Sequence, residues 1–136
     1  MHILVVVLLA VMALEHVYFL YLEMFRWTSP ATLKAFGITA AFAEESKTLA
    51  ANQGLYNGFL AAGCLWAILA PPELQQPVAI FFASCILIAG IYGGVTVARR
   101  ILYIQALPAA LCLIAVLLSS VIFAPVILSL SKDGGA

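Results

Sequence analysis

The stretch EHVYFLYLEMFRW, residues 15–27, decides how the chain is read. An apolar run beginning at Ile3 leads straight into it, so Glu15, His16 and Glu23 fall where membrane hydrocarbon is expected, with Arg26 and Trp27 just beyond. Each ionisable group near the centre of a membrane helix costs about 2.5–3.5 kcal/mol on insertion scales, so such groups need partners or a function. The stretch therefore marks both a membrane helix and the place where the chain's chemistry is expected.

Composition agrees with that reading. Of 136 residues, 65% are hydrophobic and 9% are charged, with a mean hydropathy of +1.15, whereas soluble domains have roughly 45–50% apolar content. Spans of about 20 residues joined by short connections allow four membrane helices and no separate extramembrane domain. The net charge of zero gives no basic footprint, which excludes nucleic acid as a partner. Cys64, Cys85 and Cys112 all fall inside expected spans. Their odd number and their spacing oppose a disulfide framework or a zinc site, and they read as small hydrophobes.

The expected architecture is an all-α, four-helix transmembrane bundle, one domain over 1–128. Its spans lie at about 3–25, 48–70, 78–98 and 107–128, and a short polar tail follows at 129–136. A cleaved signal peptide is the alternative for the first span, but Met1-His2 lacks the positively charged start such a peptide has, so a retained helix is expected. Ser29-Pro30 reads as an N-cap followed by proline at the first helical position, opening a short interfacial helix over 30–36 that Gly37 stops. Leu33 and Phe36 would face lipid. Thr39 caps the next helix, and Pro71-Pro72 ends it. The third span is followed by Arg99-Arg100, and residues 101–107 read as an interfacial connection before Pro108. Pro125 kinks or ends the last span. Arg26, Lys34, Lys47, Arg99 and Arg100 fall on one side, against Lys132 on the other, so the positive-inside rule places both termini outside a bacterial inner membrane.

Helical periodicity then groups the polar residues. Glu15, His16, Glu23, Arg26 and Trp27 share one stripe of about 120° on the first helix. The conservative reading of this stripe is polar interhelical glue, with Glu23 paired to Arg26 and His16 bonded to a neighbouring helix. On the second helix, Glu45, Asn52, Gln53, Tyr56 and Asn57 share a face, with Gly54 and Gly58 opposite as a small-xxx-small pair for another helix or subunit. Ser84, Tyr92, Thr96 and Arg99 mark the third helix, while Gln105, Cys112 and Ser119 repeat every seven residues on the fourth. The expected proton- or ligand-binding set is Glu15, His16, Glu23, Asn52, Gln53, Tyr56, Asn57, Tyr92 and Arg99. These would form a polar pocket that opens to the cytoplasm and has Glu15 and His16 as its floor. No catalytic residue, metal or cofactor is assigned. A metal version would use Glu15, His16 and Glu23, and the lack of HxxxH-type spacing opposes it.

EHVYFLYLEMFRW at 15–27, NQGLYNGFLAAGCLW at 52–66, IAGIYGGVT at 88–96 and IQALPAALCL at 104–113 together resemble the small bacterial inner-membrane proteins grouped as domain of unknown function 1304. The resemblance implies a compact four-helix membrane protein and leaves its activity open. Two functions follow from the residues. The first is a proton-linked carrier of a small polar or cationic solute, in which Glu15 alternates between a proton and the solute. This is similar in plan to small multidrug resistance transporters, whose sequence motifs are absent, so the analogy is of architecture only. A homodimer is expected for it, because four helices are few for a pathway. The alternative is a membrane-embedded enzyme of acid/base isomerase type, or a binding protein, for a lipid or isoprenoid-like ligand. In the enzyme, Glu15 or Glu23 works with His16 while Asn52, Tyr56 and Asn57 orient the polar end.

Overall fold

A computed structural model of the protein describes residues 1–119. Pro125, the end of the last expected span, Lys132 and the 129–136 tail lie outside the described residues. Within them the chain forms five helices and no strand: α1 (Ile3–Phe25), α2 (Pro30–Phe36), α3 (Ala40–Leu69), α4 (Pro72–Thr96) and α5 (Leu102–Ser119). Three of these, α1, α4 and α5, are long and apolar enough to cross a membrane. Helix α3 is long enough as well, but Asn52, Gln53 and Asn57 dilute its apolar content below that of a self-evident span. The chain is thus a helical membrane protein with three apolar candidate crossings, rather than four that sequence alone identifies.

Local signals set the helix ends. The His2 side chain accepts a hydrogen bond from the Leu4 N–H at 3.3 Å and caps α1. The Ser29 hydroxyl accepts from the Thr32 N–H, Pro30 occupies the first turn, and Gly37 closes α2 in the left-handed region at φ 68°, which glycine adopts without a Cβ penalty. Thr39 caps α3 by accepting from the Phe42 N–H at 3.2 Å.

Two connections differ from expectation. The segment before Pro77 is already helical, since α4 starts at Pro72, whose missing N–H falls where a helix has no acceptor for it. The connection expected over 101–107 is helical too. It contains a π turn, Leu102–Ala106, closed by the Leu107 N–H donating to the Leu102 carbonyl. Pro108 follows directly, and its ring would clash with the carbonyl four residues back in a regular α-helix. A widened turn relieves that clash and lets the helix continue.

Helices α1 and α3 form the most extensive contact, running antiparallel. The Trp27 indole N–H donates to the Ser46 hydroxyl at 3.1 Å, and the Trp27 ring meets Phe36 edge-on at 5.0 Å. Phe36 therefore packs against the chain instead of facing lipid alone. Arg100 donates to the Ala35 carbonyl, tying the α4–α5 connection to α2. Toward the opposite end of the bundle a core assembles from Val5, Leu9 and Met12 of α1, Cys64 and Ala67 of α3, Ala79, Ala83 and Ile86 of α4, and Ala109, Cys112 and Val116 of α5. Lipid is as apolar as these side chains, so close packing rather than hydrophobic transfer holds the helices together.

Glycines set that closeness. A Cβ on Gly54 would lie 2.7 Å from Met24 Cγ, 3.0 Å from Glu23 Cβ and 3.2 Å from the Leu20 carbonyl oxygen, while one on Gly58 would meet only the Leu20 side chain. The Gly54/Gly58 pair is thus used up by α1 of the same chain. At the α4–α5 contact, a Cβ on Gly90 would approach the Ala106 backbone nitrogen at 2.7 Å. Gly54→Ala should therefore destabilise the fold by about 1–3 kcal/mol, read by unfolding in detergent micelles. Gly58→Ala, opposed by a flexible side chain, should cost clearly less; equal costs would mean that the α1 backbone does not limit the approach.

Candidate functional site

Two positions on α1 carry its inward polar stripe. Glu15 and His16 lie about 18 Å along the helix from Ile3, near the middle of its length, and Glu23 sits about 12 Å further on. His16 has no solvent-accessible surface and Glu23 has 8%. Glu15 is half-buried at the edge of the stripe. Leu9 and Met12 share the inward face, so the same rotation that buries the α1 core residues carries His16 and Glu23 inward.

Glu23 is satisfied across the helix pair. The Asn57 side-chain amide donates to its Oε2 at 2.7 Å, a buried bond spanning 34 positions of sequence. Its partner is therefore Asn57 on α3, not Arg26 one turn away, and Arg26 is exposed. Among the described residues the ion pair found is Lys47 with Glu44 at 3.7 Å, both exposed. Gly54 explains this choice of partner: it brings the α3 backbone to Glu23 Cβ, and Asn57, one turn on, reaches the carboxylate.

His16 also differs from the interhelical clamp expected of it. Its Nδ1 lies 2.8 Å from the Met12 carbonyl oxygen in its own helix. A carbonyl only accepts, so Nδ1 carries the proton in this bond. Nε2 is buried with no partner, as is Oε1 of Glu15. Phe19 stands edge-on to the imidazole with ring centres 6.0 Å apart. The role of the Met12 carbonyl, four residues before His16, is legible in the sequence only as spacing.

The other expected site residues are placed elsewhere. Asn52, Gln53, Tyr56, Tyr92 and Arg99 are exposed, with Tyr92 at 70%. The reason is packing. Helix α3 turns Ala43, Ala50, Gly54 and Ala61 inward, which carries Asn57 in at the edge of that face and leaves Asn52 and Tyr56 on the far side. Helix α4 does the same with Ala79, Ala83, Gly90 and Gly94, against Tyr92 outside. Side-chain size, not polarity, chooses the buried face. Of the expected set, the structure brings together Glu23 and Asn57, while His16 is buried and Glu15 half-buried about two turns away along α1. Among the described residues no group of three or more His, Cys, Asp or Glu side chains comes together to hold a metal.

Replacing Asn57 by Leu removes the donor and leaves a buried carboxylate unpaired. It should destabilise the protein by about 1–3 kcal/mol, measured by unfolding in detergent. Glu23→Gln keeps an acceptor for Asn57 and should cost less; the reverse order would show that the bond is not what holds this pair.

Comparison with known proteins places the chain. An uncharacterised protein, YpaA, of Lactococcus lactis subsp. lactis (strain IL1403) is 35% identical over 117 residues, which are 85% of this chain and 98% of that protein. No solved structure matches. Residues 10–117, from α1 through most of α5 and including Glu15, His16, Glu23 and Asn57, match the family described as proteins of unknown function, DUF1304. The chain belongs to the DUF1304 family.

Proposed function

We propose that this protein is a small proton-linked carrier of a cationic solute in the bacterial plasma membrane, with Glu15 as the exchanging group. The observation that carries the reading is the pair of adjacent side chains in mid-helix with buried, unpartnered polar atoms, Glu15 Oε1 and His16 Nε2. Leaving such a group unsatisfied costs about 1–3 kcal/mol. Glu23 avoids that cost through Asn57, whereas Glu15 and His16 keep open valences where a partner can come and go. A carboxylate that releases a proton gains a site for a cation, which is the minimal chemistry of exchange.

In this reading α3 is a fourth crossing. Its 30 residues extend about 45 Å, more than the roughly 30 Å of bilayer hydrocarbon. Its partnership with α1 from Trp27–Ser46 to the core supports that placement. Arg26, Lys34, Lys47, Arg99 and Arg100 would mark the cytoplasmic end and leave both termini outside. Two copies would frame the pathway.

The test uses proteoliposomes holding a pH-sensitive dye. Adding guanidinium or tetramethylammonium outside should drive protons out of the lumen as the cation enters. Glu15→Gln should abolish this while the variant elutes and melts as a folded protein. Absence of coupled proton movement with both cations, or equal movement in the variant, would overturn the proposal.

A further inference from the structure

One stripe of α1 is left uncovered by the rest of the chain. Val7, Val11, Leu14, Tyr18, Tyr21 and Phe25 follow one another at alternating steps of four and three residues, and each is 47–71% exposed. This is the 3.5-residue repeat along which two helices wrap around each other. Acyl chains cover the apolar members of such a stripe well. They offer nothing to the two phenol hydroxyls, which make no hydrogen bond among the described residues. Depth makes this costly. Tyr18 lies about 6 Å, and Tyr21 about 10 Å, from the middle of a helix about 34 Å long. Helical side chains lean toward the N-terminus, so both rings lean away from the nearer membrane surface and back toward the hydrocarbon centre. Tyr56, on the antiparallel α3, leans the other way, toward that surface. A hydroxyl held in hydrocarbon without a partner is penalised, and tyrosines of membrane helices concentrate at the interface for that reason.

We infer that this stripe is the contact face for a second copy of the chain, with the two α1 helices parallel about a two-fold axis along the membrane normal. The inference deepens the carrier reading, in which two copies frame the pathway, by fixing the face they share, and it rests on that reading only for the role of Glu15. The occupant is a second copy because the stripe is complementary to itself. Each phenol is both donor and acceptor, so around a two-fold axis Tyr18 meets Tyr18 of the other copy, and Tyr21 its counterpart, in successive layers. The Tyr21 and Phe25 rings, with centres 6.4 Å apart, continue the stripe as one aromatic surface. Leu20 and Glu23, which meet Gly54 of α3, lie off the stripe, so pairing leaves the α1–α3 contact intact. In this register a knob at Leu14 enters a hole formed on the facing helix by Val11, Leu14, Glu15 and Tyr18. Leu14 of one copy thereby covers the outward side of the half-buried Glu15 in the other, which keeps acyl chains from the carboxyl.

The test uses the full chain in liposomes of phosphatidylethanolamine and phosphatidylglycerol. Leu14→Cys should give a cross-linked dimer when copper phenanthroline and oxygen oxidise facing thiols to a disulfide. Ile88→Cys, on α4 and 68% exposed, should link no more than the parent chain with its three native cysteines. Absence of the Leu14→Cys product, or equal linking at both positions, would overturn the α1 face. A second variant separates the hydroxyls from the packing. Tyr18→Phe combined with Tyr21→Phe keeps the rings and should weaken association roughly tenfold or more, read by energy transfer between donor- and acceptor-labelled copies on dilution into lipid, with helix content by circular dichroism unchanged. Undiminished association of that variant would overturn pairing through the hydroxyls. The two readings fail separately: a chain that cross-links at Leu14 without coupled proton movement overturns the carrier and leaves the α1 face standing, and coupled flux without that cross-link does the reverse.

Discussion

The close approach of α1 and α3 is the constraint on which the rest depends. At Gly54 the two backbones come so near that even a methyl group would press on Met24, Glu23 and the Leu20 carbonyl. In a membrane there is little gain from burying one apolar surface against another, so such contact supplies the attraction that solvent supplies in a soluble core. Much of the polar architecture follows from this contact. Asn57 reaches Glu23 because Gly54 lies one turn before it, and His16 is fully buried on the same inward face of α1 as Leu9 and Met12.

The contact also separates two roles among side chains that look equivalent in sequence. Glu23 is paired, nearly buried and committed to α3. Glu15, on the same stripe, sits at its edge with one oxygen buried and unbonded. A cross-helix carboxylate–amide bond stabilises the bundle in a fixed arrangement. The unpaired Glu15 oxygen and the unpaired His16 nitrogen add no such bond, and a leucine in either place would pack without the penalty.

Much of this was legible in residue order. The 30–36 helix, its Ser29 cap and its Gly37 stop follow from local chemistry that tertiary structure has no reason to override. Of the α1 stripe expected from periodicity, His16 and Glu23 are buried and Glu15 and Trp27 half-buried, while Arg26, at the helix end, is exposed. The faces of α3 and α4 did not follow. Polarity suggested that Asn52, Tyr56 and Tyr92 turn inward, but alanine and glycine faces win in a bundle held by close packing. The helical turn before Pro108 was hidden for another reason: a proline reads as a helix start when π geometry is not considered.

The hydrogen bond from His16 Nδ1 to the Met12 carbonyl has a mechanical consequence. A ring anchored to its own helix and enclosed on every side is not free to rotate toward either membrane surface, so it acts as a fixed post rather than a swinging arm. The α1–α3 pair around it is equally unsuited to sliding, because the backbone contact at Gly54 leaves no clearance for a shift of register. The α4 and α5 helices join this pair in the shared core through small side chains such as Ala79, Ala83 and Ala109. The α1–α3 pair is in this sense the rigid half of the bundle, fixed by a backbone contact as well as by side chains.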